Sequence, residues 1–167
     1  TQFVTEGDIA DQIPAQRSLD TINPFTFGKS ARVINAFQPD LFISQYWMTF
    51  FGPSTGTVHK RLTKGTKRIA ILHNVIPHEK RFFDKGANNY FLKQNEGFVV
   101  MSDAVLKDLL SLKPDANYLR IDHPVYNQFG ETQDRNAALK KLKLNPDKNY
   151  LLFFGFIRGY KGLDLLL

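Results

Sequence analysis

The sequence predicts an α/β domain: a Rossmann-like parallel sheet with helices on both faces. Short apolar runs alternate with helical patterns along the chain, and the runs are continuous, as in strands buried on both sides. Polar and aromatic residues follow the ends of these runs, and ligands bind at that edge in open α/β sheets. The chain has 167 residues, 43% of them hydrophobic and 23% charged, which is enough for one domain with a core.

The predicted elements begin with a helix. Asn23 and Pro24 are typical of a helix start, and apolar residues at helical spacing extend the pattern to residue 37. Apolar runs predict strands at residues 41–47, 68–74, 98–102 and 118–121. Helical patterns predict helices at residues 54–63, 87–95, 102–113 and 134–144. A weak strand pattern stands at residues 3–6, and YLLFFG at 150–155 predicts a fifth strand of the sheet.

The sequence lacks the signatures of several classes of protein. The absence of cysteine excludes thiol chemistry, cysteine-bound zinc and disulfides. The sequence contains no dinucleotide fingerprint, no P-loop and no hydrolase nucleophile elbow. No apolar run reaches the ~18 residues of a membrane-spanning helix. The first residues are polar and acidic, unlike a signal peptide, so a cytoplasmic location is expected.

The charge balance favours anionic partners. The formal net charge is +6, and the excess is concentrated in HKRLTKGTKR at residues 59–68, which we call the basic stretch. Two interpretations stay open: a solvated helix end with its loop, or a surface for anionic lipid. The cations concerned are Lys60, Arg61, Lys64, Lys67 and Arg68.

Aromatic residues are concentrated after the first predicted strand, in SQYWMTFFGPS. Such a cluster is typical of a core, but aromatic rings also stack on the apolar faces of sugars. Gln45, Tyr46 and Trp47 are therefore candidate acceptor or cleft residues.

The loop HNVIPHEKR follows the second strand. His73 comes directly after the strand, which makes it a candidate ligand contact, with Asn74 beside it. His78 and Glu79 complete a group that suggests a metal site, but the spacing and the proline do not place both imidazoles on one helical face. No metal is expected. His123 follows the fourth strand in the same way.

The most specific pattern is GFIRGYKG at residues 155–162. Glycine after a strand lets a ligand approach the backbone, and Gly162 opens a helix whose first amides favour an anion. The Arg158 guanidinium can donate two hydrogen bonds to phosphate oxygens in a bidentate contact, and Lys161 adds a point charge. A basic surface turn is the other interpretation of these residues.

Three segments together resemble one enzyme family. LLFFGFIRGYKGLDLLL, from residue 151 on, resembles the opening of the donor-binding domain of family 4 glycosyltransferases, which have the two-domain GT-B architecture. ILHNVIPHE resembles the loop that these enzymes place in the N-terminal domain, facing the cleft, and GFVVMSDAVLKDLL resembles the strand and helix before the interdomain crossover. The resemblance runs from about Leu41 onward, and bacterial polysaccharide-building members are the most similar.

The resemblance implies a domain organisation. Residues 1–145 would be most of the N-terminal, acceptor-side domain without its first βα unit, and residues 146–167 the start of the donor-binding domain. The family's Glu–seven residues–Glu pair has no counterpart in the chain. An internal part of a two-domain enzyme, inactive in sugar transfer by itself, is therefore expected.

The resemblance also implies roles for site residues. The counterpart of His73 approaches the donor sugar, and the Arg158 and Lys161 loop, with Gly155 and Gly162, holds the donor diphosphate. Lys161 matches the family pattern, whereas many members carry the arginine directly after the first glycine, where this chain has Phe156. The segment His123–Pro124–Val125 stands where many members have Asn-Gly-Val.

The implied reaction is transfer, with retention, of a sugar from a UDP- or GDP-sugar to a polysaccharide or lipid-linked acceptor at the inner face of the cell membrane. No cofactor or metal is implied, since the nucleotide-sugar is a co-substrate. One alternative is a GT-B-like nucleotide-sugar 2-epimerase, whose acid and base carboxylates are not identifiable. The other is a basic nucleic-acid-binding α/β module, for which no RNP-like or helix-turn-helix signature is present, so no nucleic acid is expected as a partner.

Overall fold

The computed structural model describes residues 15–77, 81–123, 131–155 and 157–166. The chain forms two compact units, Thr1–Pro124 and Val125–Leu167, and each is described by itself. The boundary expected between residues 145 and 146 rests on the sequence resemblance and stays a prediction. The weak strand pattern at residues 3–6 lies outside the described residues.

The first unit is an α/β fold with an all-parallel sheet of four strands in the order β1-β2-β3-β4, which confirms the predicted fold class. A short 3₁₀ turn, Thr49–Phe51, precedes the second helix. The elements are α1 (Phe25–Ala36), β1 (Leu41–Tyr46), α2 (Gly52–Lys60), β2 (Lys67–Leu72), α3 (Asp84–Leu92), β3 (Gly97–Val100), α4 (Asp103–Leu112) and β4 (Tyr118–Arg120).

Two of these helices begin where side-chain chemistry predicts. The Oδ1 atom of Asn23 accepts a 3.1 Å hydrogen bond from the Phe25 amide, and Ser102 Oγ accepts one of 3.3 Å from the Val105 amide. Each bond satisfies an amide that the first turn of a helix leaves without an intrahelical partner.

The core lies on one face of the sheet. Tyr46, Leu72 and Val100 are in register on that face and are fully buried. Phe91 of α3 and Leu109 of α4 belong to the same buried cluster. A second cluster joins α1 and α2 to the same face through Ala31, Val58, Leu62 and the partly buried Phe42.

The opposite face of the sheet, which we call the helix-free face, carries none of the helices that the structure describes in this unit. Ile43 is 53% exposed and Leu119 is 60% exposed there. The physical reason is topological: the strands succeed one another in a single direction, and right-handed crossovers then place every connecting helix on one side. The described helices of this unit accordingly pack against the core face alone.

The second unit contains α5 (Arg135–Leu142), a 3₁₀ turn (Gly159–Lys161) and α6 (Leu163–Leu166). The helix predicted at residues 134–144 is confirmed, with Asp134 Oδ2 capping the Ala137 amide at 2.9 Å. The predicted fifth strand is wrong. Residues 151–154 are neither strand nor helix, and Leu152 and Phe154 are 87% and 91% exposed. A strand needs a neighbour for its backbone hydrogen bonds, and none of the described residues pairs with this segment.

Among the described residues, none of the helices combines the length and apolar character needed to cross a bilayer.

Candidate functional site

The carboxyl edge of the sheet brings together the residues that follow β1 and β2. The two strands end in register, Tyr46 opposite Leu72. The His73 amide then donates a 2.8 Å hydrogen bond to the Tyr46 carbonyl. The backbone at Trp47 and at His73 therefore leaves the sheet at the ends of neighbouring strands.

His73 and Gln45 form a hydrogen-bonded pair at this edge. The imidazole Nε2 of His73 lies 3.1 Å from Oε1 of Gln45. Because an amide oxygen only accepts, Nε2 is the donor of this hydrogen bond. Both side chains are exposed, and Gln45 shares its side of the sheet with Ile71, its partner in β2, two residues before His73. The pair thus offers polar groups to solvent beside the helix-free face.

Trp47 follows Tyr46 directly in the chain, where β1 ends, and is 50% exposed. Its ring meets Phe51 edge to face, with ring centroids 5.0 Å apart, and Phe51 packs against the core. The contact holds the indole in place while half of it stays accessible. Phe51 thus packs with the core, as one interpretation of the aromatic cluster predicts, and stacking of a sugar on the exposed part of Trp47 stays a prediction.

Tyr46 does not belong to the accessible site. It is fully buried, its ring stacks on Phe91 with centroids 4.0 Å apart, and its hydroxyl donates a 2.6 Å hydrogen bond to Oδ1 of Asn88. Burial raises the pKa of Tyr46, with a further contribution from the charge of Asp84. The reason is the two-residue period of the strand, which directs Tyr46 to the core face and Gln45 to the other face.

Other predicted residues are more widely distributed. Asn74 is half-buried after His73, and His123 is exposed after β4, which is two strands, or about 10 Å, from β2. His78 and Glu79 lie outside the described residues.

Arg120, at the end of β4, forms ion pairs at the carboxyl edge of the sheet that the sequence did not predict. Its Nε donates a 3.1 Å hydrogen bond to Asp103 Oδ1, and its Nη1 pairs with Asp122. Hydrogen bonds to Asp122 and then Asp103 raise the pKa of Arg120. The available signal was the presence of acidic residues after two neighbouring strands, with an arginine at the end of one of them.

The glycine loop of the second unit has left-handed backbone at Gly155 (φ 122°) and Gly162 (φ 68°), a conformation that favours glycine. The side chains of Arg158 and Lys161 are exposed. The helix that Gly162 opens, α6, has four residues, and the Leu165 amide is bonded to the Gly162 carbonyl at 3.1 Å. An anion bound at this loop would therefore meet the cationic side chains of Arg158 and Lys161 rather than amides of α6.

The basic stretch is less uniform than its sequence. Lys60, Lys64 and Lys67 are exposed. Arg68 is only partly exposed and pairs with Glu96, whose Oε2 also accepts a 2.7 Å hydrogen bond from the Arg68 amide. The hydrogen bond from Arg68 lowers the pKa of Glu96. Arg68 is thus neutralised by a partner that is distant in sequence.

His59, the first residue of that stretch, lies in the core, where it is 1% exposed. Its Nδ1 is 2.9 Å from Oδ1 of Asn95, and its ring packs between Phe42 and Phe91. Burial lowers the pKa of His59 to about 4, so the imidazole is neutral near pH 7.

No protein-family model matches the chain, and no curated protein is significantly similar to it. The fold and the geometry of the carboxyl edge are therefore the basis for assigning a function.

Proposed function

We propose that the chain is part of a retaining glycosyltransferase of the family 4, GT-B kind, which moves a sugar from a UDP- or GDP-sugar to a glycan or lipid-linked acceptor. One observation carries the proposal: the hydrogen-bonded His73–Gln45 pair and the half-exposed Trp47 both lie at the carboxyl edge of the same parallel sheet. This is the edge at which open α/β sheets bind ligands.

The chemistry of this edge suits a carbohydrate. Sugars combine hydroxyl groups with an apolar ring face, so a binding site needs directed polar groups next to an aromatic surface. His73 and Gln45 provide a ring nitrogen and an amide for the hydroxyls, and Trp47 provides the surface.

The second unit supplies the charges that the donor needs. When the bond from the anomeric carbon to the phosphate oxygen breaks, its electron pair stays on that oxygen, and negative charge grows on the nucleoside diphosphate. A guanidinium and an ammonium group, as in Arg158 and Lys161, stabilise that charge. The sequence resemblance of this loop to donor-binding loops supports the assignment.

Trp47 makes the proposal testable, because it is the only tryptophan in the sequence. The purified chain is titrated with neutral oligosaccharides while Trp47 fluorescence is followed, and binding of UDP and GDP is measured by saturation-transfer NMR. We expect a saturable change in fluorescence with at least one oligosaccharide and transfer to at least one nucleotide.

A random DNA oligonucleotide at two salt concentrations is the comparison ligand. Salt-dependent binding of DNA, together with no response to sugars or nucleotides, would replace the proposal with the nucleic-acid-binding alternative. A complete lack of response to oligosaccharides would remove the acceptor-side assignment of the edge.

A further inference from the structure

An open groove runs along the outer side of α1. It has a volume of about 530 Å³, and it is lined by residues of α1 and by Arg61, which follows α2. Phe25, Lys29 and Arg32 succeed one another at helical spacing along this groove. The inner side of the same helix packs on the core cluster of α2 through Phe27 and Ile34. Helix α1 is therefore anchored on one side and presents cations on the other.

Arg61 is held in the groove by its surroundings. Asn35 of α1 donates a 3.0 Å hydrogen bond to the Arg61 carbonyl and accepts one of 2.9 Å from the Thr63 amide. These bonds tie the end of α2 to α1. The Arg61 guanidinium then lies over Gly28, so close that a Cβ atom at residue 28 would be 2.4 Å from Arg61 Nη1. Glycine at this position leaves the space that the guanidinium occupies.

The next feature of the groove is the set of its three cations, considered against the acidic residues that the structure describes. Lys29, Arg32 and Arg61 are exposed, and none of them forms an ion pair with any residue that the structure describes. Phe25, at one end of the groove, is 89% exposed. Clustered like charges repel one another, and an anion placed among them removes that repulsion. The groove thus combines a site for an anion with an apolar contact beside it.

We propose that this groove binds the phosphate-bearing headgroup of an anionic lipid, with Arg61, Arg32 and Lys29 at the phosphate oxygens and Phe25 against the apolar part. The site stands on α1 and the end of α2 and does not depend on the glycosyltransferase proposal. A small free anion gains little from exposed cations that salt screens, whereas a membrane surface adds apolar contact and a high local density of phosphate.

Sedimentation with phosphatidylcholine vesicles, with and without phosphatidylglycerol, tests the proposal by comparing two double variants. R32Q/R61Q removes two groove cations, and K64Q/K67Q removes two exposed cations of the basic stretch outside the groove. Both lower the net charge equally. Each cation near an anionic membrane contributes ~1 kcal/mol to binding, and 1.4 kcal/mol corresponds to about tenfold in affinity. R32Q/R61Q should therefore bind anionic vesicles about 30-fold more weakly than the natural chain. The loss for K64Q/K67Q should be less than about threefold.

Equal losses of vesicle binding in the two double variants would show that the membrane attracts the net charge of the protein, and would overturn the proposal that the groove binds the headgroup. So would unchanged binding by R32Q/R61Q, or binding of inorganic pyrophosphate as tight as that of the vesicles. Unfolding midpoints of all variants, measured in urea, establish that the substituted side chains act at the surface.

Gly28→Ala tests the geometry without changing the charge. Alanine favours a helix, so the fold should be at least as stable, while its Cβ displaces the Arg61 guanidinium. We expect binding to anionic vesicles to weaken about fivefold, the effect of one misplaced cation. Gly86→Ala is the matched control, because no atom lies within 4 Å of a Cβ placed there, and it should leave vesicle binding unchanged. A Gly28→Ala variant that binds like the natural chain contradicts the role of Arg61.

Discussion

The imidazole Nδ1 of His59 lies 2.9 Å from Oδ1 of Asn95, inside the core of the first unit. The contact joins α2 to the segment between α3 and β3, and Asn95 also donates a 2.8 Å hydrogen bond to the Phe91 carbonyl. Because the ring is buried, the fold favours its neutral form, and the pKa falls to about 4. A histidine that the sequence places at the start of a basic stretch is thus an uncharged part of the core.

We predict that the free energy of unfolding falls as the pH is lowered from about 6.5 to about 4. In that interval the unfolded chain binds a proton on His59 that the folded chain excludes, so stability is complete above the ordinary pKa and is lost on acidification. A lowering of the pKa from 6.5 to about 4 corresponds to about 3 kcal/mol. Urea unfolding at a series of pH values measures the change.

His59→Gln is the control for this pH dependence, because glutamine can keep a hydrogen bond to Asn95 but does not titrate. Its unfolding free energy should vary less between these pH values than that of the natural chain. Parallel curves for the two proteins would assign the pH dependence to carboxyl groups such as Glu96.

Tyr46→Phe should destabilise the first unit by about 1–3 kcal/mol. The substitution removes the donor of the 2.6 Å hydrogen bond to Oδ1 of Asn88 and leaves that oxygen buried. Tyr90→Phe is the matched control, since the Tyr90 hydroxyl lies 3.1 Å from Thr57 Oγ1 in a partly exposed position. Denaturant unfolding of the two variants should give the larger loss for Tyr46, and a reversed order would refute the structural role of its hydroxyl.

Gly52→Ala and Gly86→Ala should change stability in opposite directions. A Cβ at residue 52 would lie 2.7 Å from the Ala87 carbonyl oxygen, so α2 and α3 must separate, at a cost of about 1–3 kcal/mol. A Cβ at residue 86 meets no atom within 4 Å, and alanine in a helix is favoured over glycine by about 0.5–1 kcal/mol. Thermal unfolding compares the two, and a stabilised Gly52→Ala variant would contradict the close approach of the helices.

Gln45→Ala should weaken oligosaccharide binding about fivefold, the effect of one hydrogen bond of about 1 kcal/mol. The substitution removes the partner of His73 Nε2 and one amide from the site edge. Gln94→Ala, in the segment that follows α3, is the control and should leave the binding curve unchanged. Both are measured by Trp47 fluorescence, and equal affinities in the two variants would exclude Gln45 from the site.

Local sequence patterns were sufficient for the elements of the first unit. The cap at Ser102 and the apolar runs of β1 to β4 depend on residues that are neighbours in the chain, and the structure confirms them. The position of His73 after β2 followed from the same reasoning, because parallel strands end at a common edge. Its hydrogen bond to Gln45, by contrast, depends on the register of two separate strands.

By itself, the sequence determined the α/β class, the order of the elements and the polar character of the carboxyl edge. Tertiary structure alone decided that Tyr46 and His59 are buried, that Arg68 is neutralised by Glu96, and that residues 151–154 form no strand. It also decided that the described helices of the first unit pack on one face of the sheet and that the Arg61 guanidinium lies over Gly28. The physical reason is common to all of these: burial, strand pairing and ion pairing are set by residues distant in the chain, which no local pattern contains.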